Sequence, residues 1–324
     1  MAEASAESPK RVLLTGATGF VGSFLCESLR ERPGTELHLA LRTAAPTSLP
    51  HTIVGDFTGD TDWTSALEGV ETVIHCAGRA HMPREKRNNT AAPYREINTR
   101  ATLALARQAA AMGVKRFIFL SSIGVNGVAS RSPFTPDDTP APQDPYTRSK
   151  LEAENGLWAL QRETGIEVVI VRPPLIYGPN APGNFGLLMR FLHKGLPLPL
   201  KGINNKRAFV AIWNLTDLLV TCLDHPMAAN QTFLVRDGEE VSTSQFLARI
   251  AAASGKRTRL FWMPQWLIRL GAILLGRQSM YHSLFSSLQI DDSKTRNTLN
   301  WHPPLTLDEG LRRTIQTTRK EPQC

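Results

Sequence analysis

Tyr146-Thr147-Arg148-Ser149-Lys150 places a phenol and an ammonium four residues apart. On a helix that spacing puts both on one face. A free tyrosine titrates near ~10 and exchanges protons poorly at neutral pH. A neighbouring ammonium favours the phenolate, so Lys150 is expected to draw the pKa of Tyr146 down. Upstream, Ser121-Ser122 closes the apolar run "RFIFLSS" (116–122). A hydroxyl there can hold a carbonyl oxygen beside the phenol. Tyr-x-x-x-Lys also arises by chance as an exposed helix pair, so its meaning depends on what else the chain carries.

The second constellation is the glycine loop "TGATGFVG", Thr15 to Gly22, which follows the apolar run "RVLLT". Gly16, Gly19 and Gly22, with Thr18, Phe20 and Val21, sit where a strand gives way to a helix. Glycines there let backbone N–H groups and the positive helix end approach the pyrophosphate of a dinucleotide. The next strand-like run ends Leu39-Ala40-Leu41-Arg42-Thr43, with no acid to bind a ribose 2′-hydroxyl. Arg42 suits a 2′-phosphate, so NADP(H) is the expected preference; NAD(H) remains possible if Arg42 stacks on adenine or points to solvent. Asp56, ending the third run and followed by Phe57, suits either the adenine amino group or a simple strand-end cap.

The elements that must position these groups are legible as periodicity. Apolar runs at 11–15, 36–41, 51–56, 71–77, 116–122 and 167–173 alternate with helical patterns at 20–31, 62–69, 94–112 and 145–164. That alternation predicts an α/β fold: a doubly wound, Rossmann-type parallel sheet with right-handed crossover helices. Ser121 and Ser122 then fall at the C-terminal sheet edge, where such sheets place ligands. After Pro173 the texture changes. "RPPLIYGPNAPGN" reads as a boundary loop, followed by strands near 207–212 and 231–236. Helices are expected near 184–194, 214–225, 243–254, 264–276, 292–299 and 307–318.

The whole chain of 324 residues accommodates two domains, and 42% hydrophobic with 20% charged residues marks a globular protein. The expected division is a polar, disordered lead-in (1–10), a nucleotide-binding domain (11–173 plus about 213–237) and a smaller C-terminal α/β substrate domain (174–212 and 238–320). The opening "MAEASAESPK" has no apolar core, and no apolar stretch has the length of a membrane span, so cytoplasmic residence is expected. Four scattered cysteines and eight histidines show no metal-ligand spacing. The net charge of +8 is dispersed, which argues against a nucleic-acid partner. The apolar stretch "MPQWLIRLGAILLGRQ" (263–278) is expected to cover the substrate cleft or form a subunit contact, with membrane-surface docking as the alternative.

Taken in order, "TGATGFVG", "HCAG" (75–78), "EINTRAT" (96–102), "FLSSIGVNG" (119–127), "YTRSK" and "RPPLIYGP" (172–179) resemble the extended short-chain dehydrogenases/reductases. These include the NAD-dependent epimerase/dehydratase family. The resemblance runs from Arg11 to about Thr318. It implies that Ser122, preceding "IGVNG", is the catalytic serine, Tyr146 the acid/base and Lys150 its modulator and a holder of the nicotinamide ribose. It implies that Ala77, Gly78 and Asn98 line the cofactor, with Phe57 and Pro173 in the same set. It also implies that the C-terminal part binds a UDP-sugar, with Arg207 on its diphosphate and Asn184 at the substrate, in a homodimer. "FLSSIGVNG" and "ANQTFLVRDGEEVSTSQFLARIA" look most like enzymes that form UDP-N-acetylquinovosamine. Those reduce the 4-keto group of UDP-2-acetamido-2,6-dideoxy-hexos-4-ulose in surface-polysaccharide (O-antigen) synthesis. UDP-glucose and UDP-N-acetylglucosamine 4-epimerases are the alternative. A non-catalytic dinucleotide-binding scaffold is the third, disfavoured because Tyr146 and Lys150 are both present.

Overall fold

The protein is described by a computed structural model covering residues 9–80, 91–255 and 259–319. Most of the polar lead-in at 1–10 lies outside the described residues. The first unit opens with β1 (Lys10–Thr15), α1 (Phe20–Arg30), β2 (Thr35–Leu41), β3 (His51–Ile53), α2 (Thr64–Leu67) and β4 (Thr72–His75). It continues with α3 (Ala92–Tyr94), a π-helical stretch (Arg95–Arg100), α4 (Ala101–Ala111), β5 (Arg116–Leu120), α5 (Pro145–Thr164) and β6 (Glu167–Arg172). Later come β7 (Leu175–Tyr177), α6 (Gly183–His193), β8 (Arg207–Ala211), α7 (Ile212–Asp224), β9 (Gln231–Leu234) and β10 (Glu240–Val241). The chain ends in α8 (Thr243–Ser254), α9 (Gln265–Leu274), α10 (Gln278–Phe285), α11 (Ser293–Leu299) and α12 (Leu307–Arg319).

The main sheet has seven strands in the order β3-β2-β1-β4-β5-β6-β9. With its flanking helices it forms a Rossmann-type α/β fold. From β3 through β6 every neighbouring pair is parallel. Register explains why the strands read as continuous apolar runs rather than alternating ones. Leu13, Val73, Phe117 and Val168 lie side by side and belong to one buried cluster with Trp63, Leu105 and Leu157. One residue further on, Leu14, Ile74, Ile118 and Val169 are also side by side and buried, so both faces are covered. The order reverses at β1, which has β2 on one side and β4 on the other. Ligand crevices open at such switch points.

Contacts divide the chain into two compact units. One comprises residues up to Val125, Asp144–Arg172 and Thr216–Phe233; the other comprises Asn126–Gln143, Pro173–Leu215 and Leu234 onward. The second unit contains the three-stranded sheet β10-β8-β7. Two of its strands were not foreseen. β7 lies inside "RPPLIYGP", where proline and glycine mask three residues that pair with β8, and β10 is only two residues long. Residues 126–143 join this unit because Ser130 and Phe134 donate backbone N–H groups to Ser287 and Gln289, both at 2.9 Å.

Candidate active site

The glycine loop is built by close approach. Gly16 has φ +74°, and a Cβ there would lie 2.6 Å from the backbone nitrogen of Ala77. A Cβ on Gly22 would fall 2.1 Å from the Gly16 carbonyl oxygen. Only bare backbone lets β1 turn this tightly into α1 and pass under the loop after β4. α1 starts at Gly19 with no side-chain cap and no acid in its first turn. Its first amide groups and positive end therefore suit an anion.

That helix end opens on a groove of about 830 Å³. Gly16, Thr18, Gly19, Arg42, Asp56, Phe57, Ala77 and Gly78 line it, which gathers most of the expected cofactor residues. Phe20, Val21 and Gly22 form the first turn of α1 behind them. Arg42 and Asp56 meet across the groove wall at 4.0 Å, both largely exposed. The groove has the length and lining that could take an elongated anionic ligand between the α1 N-terminus and Asp56.

Asn98 sits just behind this groove, next to the lining residues Glu96 and Ile97. It is fully buried on the π-helical stretch, a device that frequently marks functional sites. Its Oδ1 accepts from the Arg79 amide at 2.7 Å, and its Nδ2 donates to the Arg79 carbonyl at 3.1 Å and to Ser149 Oγ at 2.9 Å. Asn98 thus clamps the loop carrying Ala77 and Gly78, directly behind the groove wall. Pro173 is buried just after β6.

The catalytic candidates converge at the ends of β5 and α5. Asp144 caps α5: its Oδ1 accepts from the Thr147 amide at 2.8 Å, and Pro145 occupies the first turn. Tyr146 therefore emerges from the helix's first turn, and Lys150 one turn further along. Ser122, just beyond β5, hydrogen-bonds the Tyr146 phenol. The Gly124 amide donates to Ser122 Oγ at 3.1 Å, leaving the hydroxyl proton for the phenol or a substrate oxygen. Gly124 is needed because a Cβ there would lie 2.4 Å from Thr147 Cγ2.

Tyr146 departs from expectation in one respect. Burial pushes its pKa up to about 12, opposed by the Ser122 hydrogen bond and reinforced by Asp144 and Tyr94. The expected lowering by Lys150 is absent because the ammonium is turned elsewhere. Lys150 Nζ donates to the Leu120 carbonyl at 2.9 Å and lies 4.4 Å from the Phe119 ring centroid. A Cβ on Gly78 would sit 3.3 Å from it. Lys150 thus stands behind the groove wall at Gly78. Burial lowers its own pKa to about 8, with Cys76 and Glu154 acting in the opposite direction.

Two residues beneath the site escaped sequence reasoning. Glu154, 1% exposed, receives Arg172 through Nε at 3.0 Å and Nη2 at 2.6 Å, and also accepts from Ser121 Oγ at 2.5 Å. This ties β5, α5 and β6 together directly below Ser122, and it assigns Ser121 a structural role. The signal was present: Glu154 follows Lys150 at helical spacing, and an arginine inside the apolar run of β6 must find a counter-charge. His75 is likewise buried between Thr15 Oγ1 at 2.8 Å and Thr102 Oγ1 at 2.9 Å, and burial takes its pKa down to about 3.

The substrate candidates lie in the other unit. Arg207, on β8, is 6% exposed and donates Nη1 to the Ser286 carbonyl at 2.9 Å. No carboxylate pairs with it among the described residues, and burial lowers its pKa to about 10. The side chain of Asn184, on α6, lies outside the described residues.

A dinucleotide cradle at a sheet switch point, with a serine, a tyrosine and a lysine beside it, defines a nicotinamide-dependent enzyme of the short-chain dehydrogenase type. The chain belongs to the NAD dependent epimerase/dehydratase family, whose model matches residues 12–235. It is 46% identical over 312 residues to a UDP-glucose 4-epimerase of Vibrio cholerae, covering 95% of each chain. Its fold is similar to the UDP-N-acetylglucosamine 4-epimerase of Bacillus cereus, at TM-score 0.79, 19% identity and coverage of 96% of this chain and 99% of that one. The UDP-glucuronic acid 4-epimerase of Bacillus cereus in complex with NAD is similar at TM-score 0.77 and 20% identity, with the same coverage.

Proposed function

We propose that this protein is a UDP-hexose 4-epimerase that uses NAD(H). The observation that carries this is the 46% identity with a UDP-glucose 4-epimerase over nearly the whole of both chains. The site supports it with a proton-exchanging phenol, a hydroxyl and a buried ammonium at a dinucleotide groove.

Inverting C4 requires that it be oxidised and then reduced from the opposite side. A bound nicotinamide would supply hydride-accepting and hydride-donating chemistry, and its positive charge in the oxidised form would favour the Tyr146 phenolate. Tyr146 takes the proton of the sugar 4-hydroxyl and gives it back to the opposite epimer. Ser122 donates to the same sugar oxygen and steadies its developing charge. Lys150, one turn away, holds positive charge behind the groove wall at Gly78, where it would attract the electron-rich ribose hydroxyls of a bound cofactor. Arg207, a buried cation paired with no carboxylate among the described residues, is our candidate for the UDP diphosphate.

For the cofactor, Asp56 beside Arg42 supports NAD(H) over NADP(H), since a carboxylate 4.0 Å from the guanidinium opposes a 2′-phosphate. The family's NAD dependence supports the same choice. Acid-denaturing the purified protein and identifying the released nucleotide tests this. NAD(H) at near one per chain is expected; release of NADP(H) would contradict it.

The second reading is reduction of a UDP-4-keto sugar such as UDP-2-acetamido-2,6-dideoxy-hexos-4-ulose. Arg42 favours it, because the end of β2 carries no acid of its own to retain NAD. It predicts steady consumption of added NADPH or NADH, whereas epimerisation is redox-neutral.

A further inference from the structure

The helix α9 is exposed on the side where a surface helix should be polar. None of its described residues is buried. Trp266 is 66% exposed and Leu274 77% exposed, with Leu270 and Ile273 about half exposed. At 3.6 residues per turn these four fall within an arc of roughly 100°. Ile268 and Ala272, on the opposite side, are half-buried. The apolar arc extends past both helix ends through Trp262 and Leu275, 69% and 66% exposed. The helix is fixed by its lead-in: Phe261 donates its amide to the Leu198 carbonyl at 3.0 Å, and Lys201 donates to the Phe261 carbonyl at 3.2 Å. No other element among the described residues covers this arc.

Charge identifies the partner. Between Glu240 and Asp291 the sequence contains no aspartate or glutamate, yet it holds Arg249, Lys256, Arg257, Arg259, Arg269 and Arg277. Arg259, Arg269 and Arg277 are exposed, as is Lys201 on the hydrogen-bonded neighbouring segment. None of these four forms an ion pair among the described residues. A second copy of the chain would bring like charge against like charge in a two-fold contact. An apolar arc with tryptophans and arginines at its margins matches instead the interface of an anionic bilayer, where aromatic rings sit at headgroup depth and arginines meet phosphates. No helix among the described residues is long and apolar enough to cross a membrane, so the contact lies along the surface.

We propose that α9, with Trp262 and the surrounding arginines, docks this protein on an anionic phospholipid surface. The proposal stands independently of the reaction assigned above. The test is co-flotation of the full chain with vesicles of phosphatidylglycerol and phosphatidylcholine, and with phosphatidylcholine alone. The protein is expected to float with the anionic vesicles, less so as salt rises, and to stay behind with the neutral ones. Combined Trp266→Ser, Leu270→Ser and Leu274→Ser is expected to weaken binding at least about tenfold while sugar-nucleotide turnover in solution persists. Should that variant fail to fold, Arg269→Gln with Arg277→Gln is expected to cut anionic binding severalfold and flatten its salt dependence. Failure of the wild type to float, or equal flotation of wild type and variants, would overturn the proposal. So would an oligomer in solution that the serine variant dissociates, which would make this face a subunit contact.

Discussion

Tyr146 and Lys150 are tuned by burial in opposite senses, and each shift has a kinetic consequence. With its pKa pushed up to about 12, Tyr146 waits as a neutral phenol. Tyr146→Phe keeps the ring and its packing but removes the proton carrier. It should lower kcat by about 10²–10⁴-fold while leaving the NAD⁺ dissociation constant within about twofold, read by turnover and fluorescence titration. Near-normal turnover would remove Tyr146 from the mechanism. Lys150, lowered to about 8, keeps its charge at neutral pH and loses it as pH rises through about 8. That cation stands behind the groove wall at Gly78, so kcat/KM should fall on the alkaline side, with an apparent pKa near 8, as the groove loses its positive charge. Lys150→Arg should carry that limb to higher pH, since guanidinium does not deprotonate there. A wild-type profile flat to pH 10 would show that the ammonium plays no such part. The residue types and spacing were readable in the sequence. The direction of the tyrosine shift was not, because it depends on how the folded chain packs around Tyr146 and on Lys150 turning toward Leu120.

At the scale of elements, α5 is the device that aims the site. Asp144, Pro145 and Thr147 start it so that Tyr146 leaves from its first turn toward Ser122. Asp144→Ala removes the cap and should cost about 1 kcal/mol of stability, visible as a lower Tm, together with a fall in kcat. Asp144→Asn, which caps as well, should restore the stability. Equal Tm values for all three proteins would mean that the cap does not hold this helix end. The bounds of α5 and α8 follow directly from their caps and closing glycines, Gly165 and Gly255. What lay hidden was non-local. β7 and β10 are too short to show a period and exist because β8 offers them an edge. The Asn98 clamp depends on a π-helical turn that no spacing rule announces.

At the scale of the whole molecule, the doubly wound sheet was legible because parallel strands buried on both faces leave continuous apolar runs. The glycine loop, Arg42 and Asp56 are read from strand ends, whereas Ala77 and Gly78 enter through the family resemblance. The choice between epimerase and reductase was not legible, since both reactions need the same phenol, ammonium and hydroxyl, and the missing acid after β2 points toward NADP(H). The most direct measurement is to incubate the purified protein with UDP-glucose, adding no nicotinamide cofactor, and to follow the sugar by proton NMR. The account predicts catalytic conversion to the 4-epimer, reaching the same mixture when started from UDP-galactose. A UDP-hexose that stays unchanged under these conditions, with turnover appearing only when a UDP-4-keto sugar and NADPH or NADH are supplied together, would contradict it.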